Sequence, residues 1–226
     1  GRAHRDVSSD LRGALITPKV THRAALLEPR AVGQLLRAVE DHEGQPTVRI
    51  ALRLAPHLFV RPGELRSAEW REFDIAEAVW TIPAEKTKMR KAHRVPLSPQ
   101  VLSILDELRP ITGKGKYLFP SVRTPTRPIT DNTLNAALRR LGYDKTQMTA
   151  HGFRAMASTL LNETGKWHAD AIERQLGHIE SNEVRRAYAR GEHWPERVAM
   201  MASWSDYLDR LRTGAKIIKG KFGRFS

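Results

Sequence analysis

The 226-residue chain contains no cysteine. This absence excludes disulfide bonds, zinc sites built from thiolates and catalysis by a cysteine nucleophile, and it is compatible with a reducing cytoplasm. The sequence also lacks a His-Glu-x-x-His motif, and no closely spaced pair of aspartates lies around its histidine and arginine motifs. We therefore expect no metal ion and no other cofactor.

Long apolar runs are missing as well. None approaches the roughly 20 residues that a membrane-spanning helix needs, and the basic residues do not follow one face of an amphipathic helix. The chain begins at Gly1 rather than at methionine, and no apolar segment near it resembles a signal peptide. We expect a soluble fragment of a longer protein, with no membrane partner.

Positive charge, in contrast, is in excess. Lysine and arginine number 38 against 25 acidic residues, which gives a formal net charge of +13 and an isoelectric point near 10.5. A charge of this size favours a polyanionic partner, and nucleic acid is the first candidate.

The spacing of apolar residues predicts a mostly helical body. Residues 47–59 are apolar all round and predict a central helix. Other helices are expected to begin at a proline or at a capping hydroxyl, namely at Pro29, Ser98-Pro99, Thr130, Thr149 and Pro195, with another after Asn182. In the helix that begins at Pro195, one apolar stripe is formed by Val198, Met201, Trp204, Leu208 and Leu211.

A period of two replaces the helical period after Trp70. Trp80 and Ile82 alternate with Thr81, and Val95 and Leu97 alternate with Arg94 and Pro96. The fold class is therefore α+β, a mostly helical domain with a small antiparallel three-stranded sheet on one side. We expect this domain to span 26–213, after the end of a preceding region and a linker in 1–25 and before a flexible basic tail in 214–226.

Two histidine motifs and one tyrosine stand out: His151-Gly152-Phe153-Arg154, Leu176-Gly177-His178 and Tyr188. Arg61 lies upstream, where a predicted helix ends. Phosphodiester transfer develops negative charge on phosphate oxygens, and planar guanidinium groups match that geometry, so Arg61 and Arg154 form a natural clamp. Tyr188 is the candidate nucleophile, since cations that stabilise a phenolate make its hydroxyl competent.

Each residue taken singly also has an ordinary structural explanation. The arginines fit a solvated basic surface, and the histidines fit helix ends, His151 as a cap and His178 beside the helix dipole. Tyr188 fits a half-buried position on a helix. Spacing alone leaves both interpretations open.

The motifs in combination resemble the tyrosine recombinase, or phage-type integrase, family. The order of Arg61 with Glu64, His151-x-x-Arg154, Gly177-His178 and Tyr188 is similar to the family order, over about residues 26–211. The sequence around the motifs resembles that of integrases from satellite prophages and genomic islands. The resemblance lies in four segments: Phe59-Val60-Arg61-Pro62-Gly63-Glu64-Leu65, His93-Arg94-Val95-Pro96-Leu97-Ser98, His151-Gly152-Phe153-Arg154 and Arg186-Ala187-Tyr188-Ala189-Arg190.

The resemblance implies a role for each motif residue. Arg61 and Arg154 would bind the scissile phosphate, and Glu64 would orient Arg61. His151 would assist proton transfer, and His178 would donate a hydrogen bond to a phosphate oxygen. Tyr188 would attack phosphorus to form a 3′-phosphotyrosyl bond, with neither ATP nor a metal ion.

The resemblance also implies a catalytic lysine in the turn of a β-hairpin, seven residues before the valine of a Val-Pro-Leu strand. That position is Lys88, which would protonate the departing 5′ oxygen. Lys86 is the rival in the same turn. Lys86 together with Arg90 and Lys91 is predicted to contact DNA.

The family further implies a homotetramer on synapsed double-stranded DNA, a monomer when free, and a bacterial location in the cytoplasm with the nucleoid. The stripe of the last helix is a candidate for docking on a neighbouring subunit or for packing on its own domain. Without an N-terminal clamp domain, we expect weak and salt-dependent DNA binding. The alternatives are a type IB topoisomerase-like enzyme and a non-catalytic basic DNA-binding module such as a helix-turn-helix protein.

Overall fold

The computed structural model describes residues 24–178 and 192–214. Its helices in these ranges are α1 Pro29–Glu40, α2 Pro46–Leu58, α3 Pro62–Arg66, α4 Pro99–Thr112, α5 Thr133–Arg140, α6 Gly152–Glu163, α7 Ala169–Gln175 and α8 Trp194–Thr213. Its strands are β1 Phe73–Asp74, β2 Val79–Ile82, β3 His93–Pro96, β4 Pro120–Ser121 and β5 Thr124–Pro128. The predicted helix after Asn182 lies outside the described residues.

Helix α2 lies at the centre of the core. It contacts α1, α4, α5, α6 and α8, and most of its residues are buried. This confirms the prediction of a central helix from a segment that is apolar all round, because such a helix must be covered on every side.

Helix α8 packs along α1 and α2 of its own domain. The Trp204 indole N–H donates to the carbonyl oxygen of Pro56 at 2.8 Å. The predicted stripe is confirmed at four positions but is wrong at Val198, which is 44% exposed, while Arg197 is buried. Residues 197 and 198 stand four and three positions before Met201, so helical spacing alone admits both.

The predicted antiparallel three-stranded sheet is present, with the strand order β1-β2-β3. Trp80 pairs with Val95 and Ile82 with His93, and these four side chains are buried while Thr81 is exposed. A second ribbon, β4 with β5, was not predicted, because prolines in its sequence argue against a strand.

One of the three capping predictions is confirmed, since the Ser98 hydroxyl accepts the Val101 N–H at 3.3 Å. The Thr149 hydroxyl accepts the Gly152 N–H at 3.0 Å, but Thr149 is wrong as a cap because α6 begins after His151. Thr130 is wrong as a cap, because α5 begins later, after Asn132. Instead the Thr130 carbonyl accepts the N–H of Thr133, closing a turn before the helix.

No helix among residues 24–178 and 192–214 combines the length and the apolarity that crossing a bilayer requires.

Candidate functional site

Arg61 and Arg154 converge on the end of α7. The Arg61 Nη2 donates to the carbonyl oxygen of Gly177 at 3.1 Å, and the Arg154 Nη2 donates to that of Leu176 at 2.7 Å. Because these carbonyls belong to consecutive residues, the two guanidinium groups lie side by side, although the arginines come from different elements. The convergence that spacing alone could not decide is therefore present.

Glu64 holds Arg61 in place. Its carboxylate is 2% exposed, and it accepts the Arg61 backbone N–H at 2.9 Å and the Arg61 Nη1 at 2.9 Å. Arg61 immediately precedes α3, and Glu64 lies in the first turn of that helix. One buried carboxylate thus fixes both the backbone and the side chain of Arg61.

Arg154 is more deeply enclosed, at 4% exposure. Its Nη1 donates to the carbonyl oxygen of Phe59, at the end of α2, at 2.9 Å. Burial and then the positive charge of Arg61 lower the pKa of Arg154 to about 10. The guanidinium therefore stays charged at neutral pH and ties the ends of α2 and α7 together.

His178 lies beside Arg154. Its Nε2 is 3.2 Å from the Arg154 Nη2, and its Nδ1 is 2.7 Å from the Glu173 carboxylate. A guanidinium can only donate, so the Nε2 accepts and the Nδ1 carries the hydrogen that Glu173 receives. Glu173 was missed in the sequence, because a pair five residues apart across a helix end has no distinctive spacing.

His151 and Lys88 complete the group. Arg61, Glu64, Lys88 and His151 line one cleft, and His151, Arg154 and His178 line a second. His151 stands just before α6, so it belongs to both clefts. Five predicted residues, Arg61, Lys88, His151, Arg154 and His178, are thus brought together, whereas Tyr188 lies outside the described residues.

The four basic side chains of the β2–β3 turn differ in burial and in their partners. Lys88, Arg90 and Lys91 are exposed. Lys86 is held by two buried carboxylates, Glu69 at 2.8 Å and Glu72. Burial would lower the pKa of Lys86, but hydrogen bonds and charge from Glu69 and Glu72 outweigh burial and raise it.

Two further residues of this region were not predicted. His93 is 8% exposed, and burial followed by the charges of Arg197, Arg154 and Arg61 lowers its pKa to about 3, so it is neutral. Arg197 reaches the Gln175 amide oxygen at 2.8 Å and the carbonyl of Arg94. The available signal was the inward register of β3, which places His93 on the same face as Val95.

Among the described residues, one group of side chains that could coordinate a metal ion lies away from these clefts. It consists of His168, Asp170 and His193, whose potential ligand atoms lie within 4.8 Å of one another. It lies at the N-termini of α7 and α8, where helix dipoles oppose a cation. The His168 Nδ1 already accepts the Asp170 N–H at 3.2 Å. Both features work against metal binding.

The clefts are suited to a phosphate group. Two adjacent guanidiniums supply planar, always-charged donors, and a histidine and a lysine lie within the same cavity walls. Donors fixed in advance by buried partners stabilise developing negative charge better than mobile ones, because they need no reorganisation.

Comparison with known proteins agrees with this geometry. Residues 26–193 match the profile described as the phage integrase family. The integrase of Enterobacteria phage P4 is 43% identical over 219 residues, which are 91% of this chain and 50% of the relative. Prophage integrase IntA of Escherichia coli K12 is 35% identical over 192 residues, 85% of this chain and 46% of the relative. The chain thus spans about half the length of these curated relatives.

Solved structures show the same fold. An integrase from mycobacterium phage Brujita superposes with a TM-score of 0.61 at 16% identity, over 87% of this chain and 65% of that one. A lambda integrase tetramer bound to a Holliday junction gives 0.57 at 19% identity, over 76% and 52%. The family profile covers most of the chain, and the P4 relative matches nearly all of it; the chain belongs to the phage integrase family.

Proposed function

We propose that the chain is the strand-cleaving and strand-joining part of a site-specific integrase that inserts or excises a prophage or genomic island. The observation that carries this is the convergence of the Arg61 and Arg154 guanidiniums beside His178, at the ends of elements far apart in sequence. A phosphate seated there would meet charged donors on several sides. Residues 26–213 would form the catalytic domain.

The proposed reaction keeps bond energy in a covalent link. The Tyr188 hydroxyl gives up its proton with the help of His151 and its oxygen attacks phosphorus. The bond from phosphorus to the 5′ oxygen breaks, and Lys88 gives that oxygen a proton. A 3′-phosphotyrosyl bond and a free 5′ hydroxyl result. Attack by the 5′ hydroxyl of a partner strand reverses the step and releases Tyr188, so no ATP is consumed.

Each remaining residue has a proposed part in this step. Arg61 and Arg154 neutralise the phosphate oxygens, and Glu64 keeps Arg61 in position. His178 donates a hydrogen bond to phosphate from its Nε2 after that atom takes up a proton, and His151 assists proton transfer. The exposed Arg90 and Lys91 support DNA contacts from the turn, whereas the ion pairs of Lys86 argue for a structural part.

Double-stranded DNA is the proposed substrate. The net charge of +13 supports it, and the lambda integrase of similar fold is a tetramer on a Holliday junction. We propose a homotetramer on synapsed attachment sites and a monomer without DNA. Phage and prophage relatives support action in the bacterial cytoplasm, on nucleoid DNA.

The test is covalent capture. The chain is incubated with a nicked duplex that carries the attachment core, read from the DNA junctions flanking its gene, so that the short cleaved strand diffuses away. A protein–DNA adduct is expected on a denaturing gel, and Tyr188→Phe removes it because no phenolic oxygen remains. Tyr143→Phe serves as the matched control and leaves the adduct intact.

Three results would contradict the proposal. An adduct that persists in Tyr188→Phe would refute the assigned nucleophile. The absence of any adduct on the correct core would favour a non-catalytic DNA-binding module. Relaxation of supercoiled plasmid without sequence preference would favour a topoisomerase.

A further inference from the structure

We propose that Lys86, clamped by Glu69 and Glu72, is a positioning residue that sets the place of Lys88 beside the phosphate. The inference rests on the proposed function, because it assigns Lys88 the proton for the leaving oxygen. It concerns the side chain two residues earlier, whose ammonium is bound by groups of the protein itself.

The Lys86 ammonium has no donor to spare. It donates to the carbonyl oxygen of Ser67 at 2.8 Å, to the Glu69 carboxylate at 2.8 Å and to the Glu72 carboxylate. An ammonium has three hydrogens, so these partners use all of them. Lys86 therefore serves as an anchor and not as a proton donor.

The partners of Lys86 are themselves fixed. The Glu69 and Glu72 side chains are 4% and 2% exposed. Glu72 accepts the indole N–H of Trp80 at 3.0 Å, and Glu69 forms a backbone bridge with Tyr117. A long, flexible lysine side chain is thus held in a buried and rigid frame.

This frame continues directly from the segment that carries Arg61. Helix α3 begins immediately after Arg61, and Ser67, whose carbonyl receives the ammonium, immediately follows that helix. The clamp therefore fixes the β2–β3 turn relative to the phosphate-binding arginine. Two residues of chain span only about 7 Å, so an anchor at Lys86 restricts where the Lys88 backbone can lie.

Thr87 closes the turn from the other side. Its hydroxyl donates to the carbonyl oxygen of Lys91 at 2.8 Å and accepts the Lys91 N–H at 3.1 Å. Lys88 follows at once and is exposed along the cleft lined by Arg61 and His151. The turn thus has a fixed base and an exposed tip, with Lys88 at their junction.

The experiment separates proton delivery from general damage. Two nicked duplexes carry the same attachment core, one with the ordinary 5′ bridging oxygen at the scissile phosphate and one with sulfur in its place. A departing thiolate is far less basic than an alkoxide and leaves without a proton. Any defect confined to the proton donor is therefore rescued by the sulfur substrate.

The main variant is Lys86→Met/Glu72→Gln, which removes one charge of each sign and leaves Glu69 paired with Arg71. We expect the single-turnover rate of cleavage of the oxygen substrate to fall about 10²-fold, because general acid catalysis typically contributes a rate factor of this size. Cleavage of the sulfur substrate should remain close to the wild-type rate. Lys86→Arg should keep cleavage of both, because a guanidinium can serve the same carboxylates.

The matched control is Arg53→Met/Glu107→Gln. It removes another ion pair, between α2 and α4, with the same change in charge and no residue in the clefts. Cleavage of both substrates should stay at the wild-type rate. Thermal unfolding of each variant confirms that the tested proteins are folded.

A second arm tests whether Lys86 acts through Lys88. Lys88→Ala alone should show the same loss and the same rescue by sulfur. Adding Lys86→Met/Glu72→Gln to Lys88→Ala should cost little more on the oxygen substrate, because residues acting as one unit are not additive. If the loss of cleavage rate in the combined variant equals the product of the two separate losses, Lys86 and Lys88 act independently and the proposal is overturned.

The failures are distinguishable. If the wild-type chain forms no adduct with either substrate, the proposed function fails and the inference falls with it. If the wild type cleaves both while the clamp variant loses both equally, only the positioning role is refuted. Survival of oxygen cleavage in Lys88→Ala would also refute it.

Discussion

Arg154 illustrates how one side chain serves both the site and the fold. Three of its donor contacts go to the carbonyls of Phe59 and Leu176 and to the Nε2 of His178. The carbonyls end two separate helices, so the same guanidinium that faces the cleft also fixes its walls. A buried arginine satisfied in this way loses little mobility when it binds phosphate, because it is already ordered.

Arg154→Ala should therefore slow cleavage by about 10²- to 10³-fold, while DNA affinity changes little. One charge is lost from a net +13, and non-specific affinity depends on the total of many contacts. Gel shift and adduct formation on the same duplex measure the two effects. Arg123→Ala, an exposed arginine, is the control of equal charge. Equal losses of affinity and cleavage in Arg154→Ala would count against its assigned role.

At the scale of elements, helix ends build the site. Arg61 and the Phe59 carbonyl lie where α2 ends, His151 and Arg154 lie where α6 begins, and the Leu176 and Gly177 carbonyls lie where α7 ends. Ends expose backbone groups that need partners, so side chains from one element can bond to the end of another.

Most of these elements could be predicted from the sequence. Periodicity identified α2, α8 and the sheet, because burial on one face or on all faces leaves a local pattern. Lys86 and Lys88 could not be separated, since residues two apart in a turn follow no rule about which is buried. Arg197 was missed because only its distant partners, Gln175 and the Arg94 carbonyl, make its burial favourable.

The contact between α1 and α8 depends on a glycine. A Cβ at Gly33 would lie 2.4 Å from the Leu211 carbonyl oxygen, and Arg37 caps the same end of α8 by donating to Leu211 and Arg212. Gly33→Val should lower the free energy of unfolding by about 1–3 kcal/mol, because the backbone must move apart. Urea unfolding measures this. Gly63→Ala, with open space around it, should be nearly neutral, and an equal loss there would argue against close packing as the cause.

At the scale of the whole molecule, two of the buried histidines among residues 24–178 and 192–214, His57 and His93, lie in different parts of the core. The His57 Nδ1 is 2.9 Å from the Ser205 hydroxyl, which lies 2.8 Å from the Ser98 hydroxyl, so this network joins α2, α8 and the start of α4. Burial lowers the pKa of His57 to about 4, and burial with neighbouring arginines lowers that of His93 to about 3. Both histidines are therefore neutral in the folded protein at neutral pH.

Acidification should destabilise the fold before its carboxylates titrate. Between pH 6.5 and about 4, the unfolded chain protonates each histidine while the folded chain does not, so stability falls as pH falls. From pH 6.5 to pH 5, His57 and His93 each contribute a loss of about 2 kcal/mol. Urea unfolding at pH 7 and pH 5 measures the combined loss. His57→Gln should reduce the combined loss by about 2 kcal/mol, and His168→Gln, at an exposed position, is the matched control. An undiminished loss in His57→Gln would show that His57 titrates normally in the folded protein.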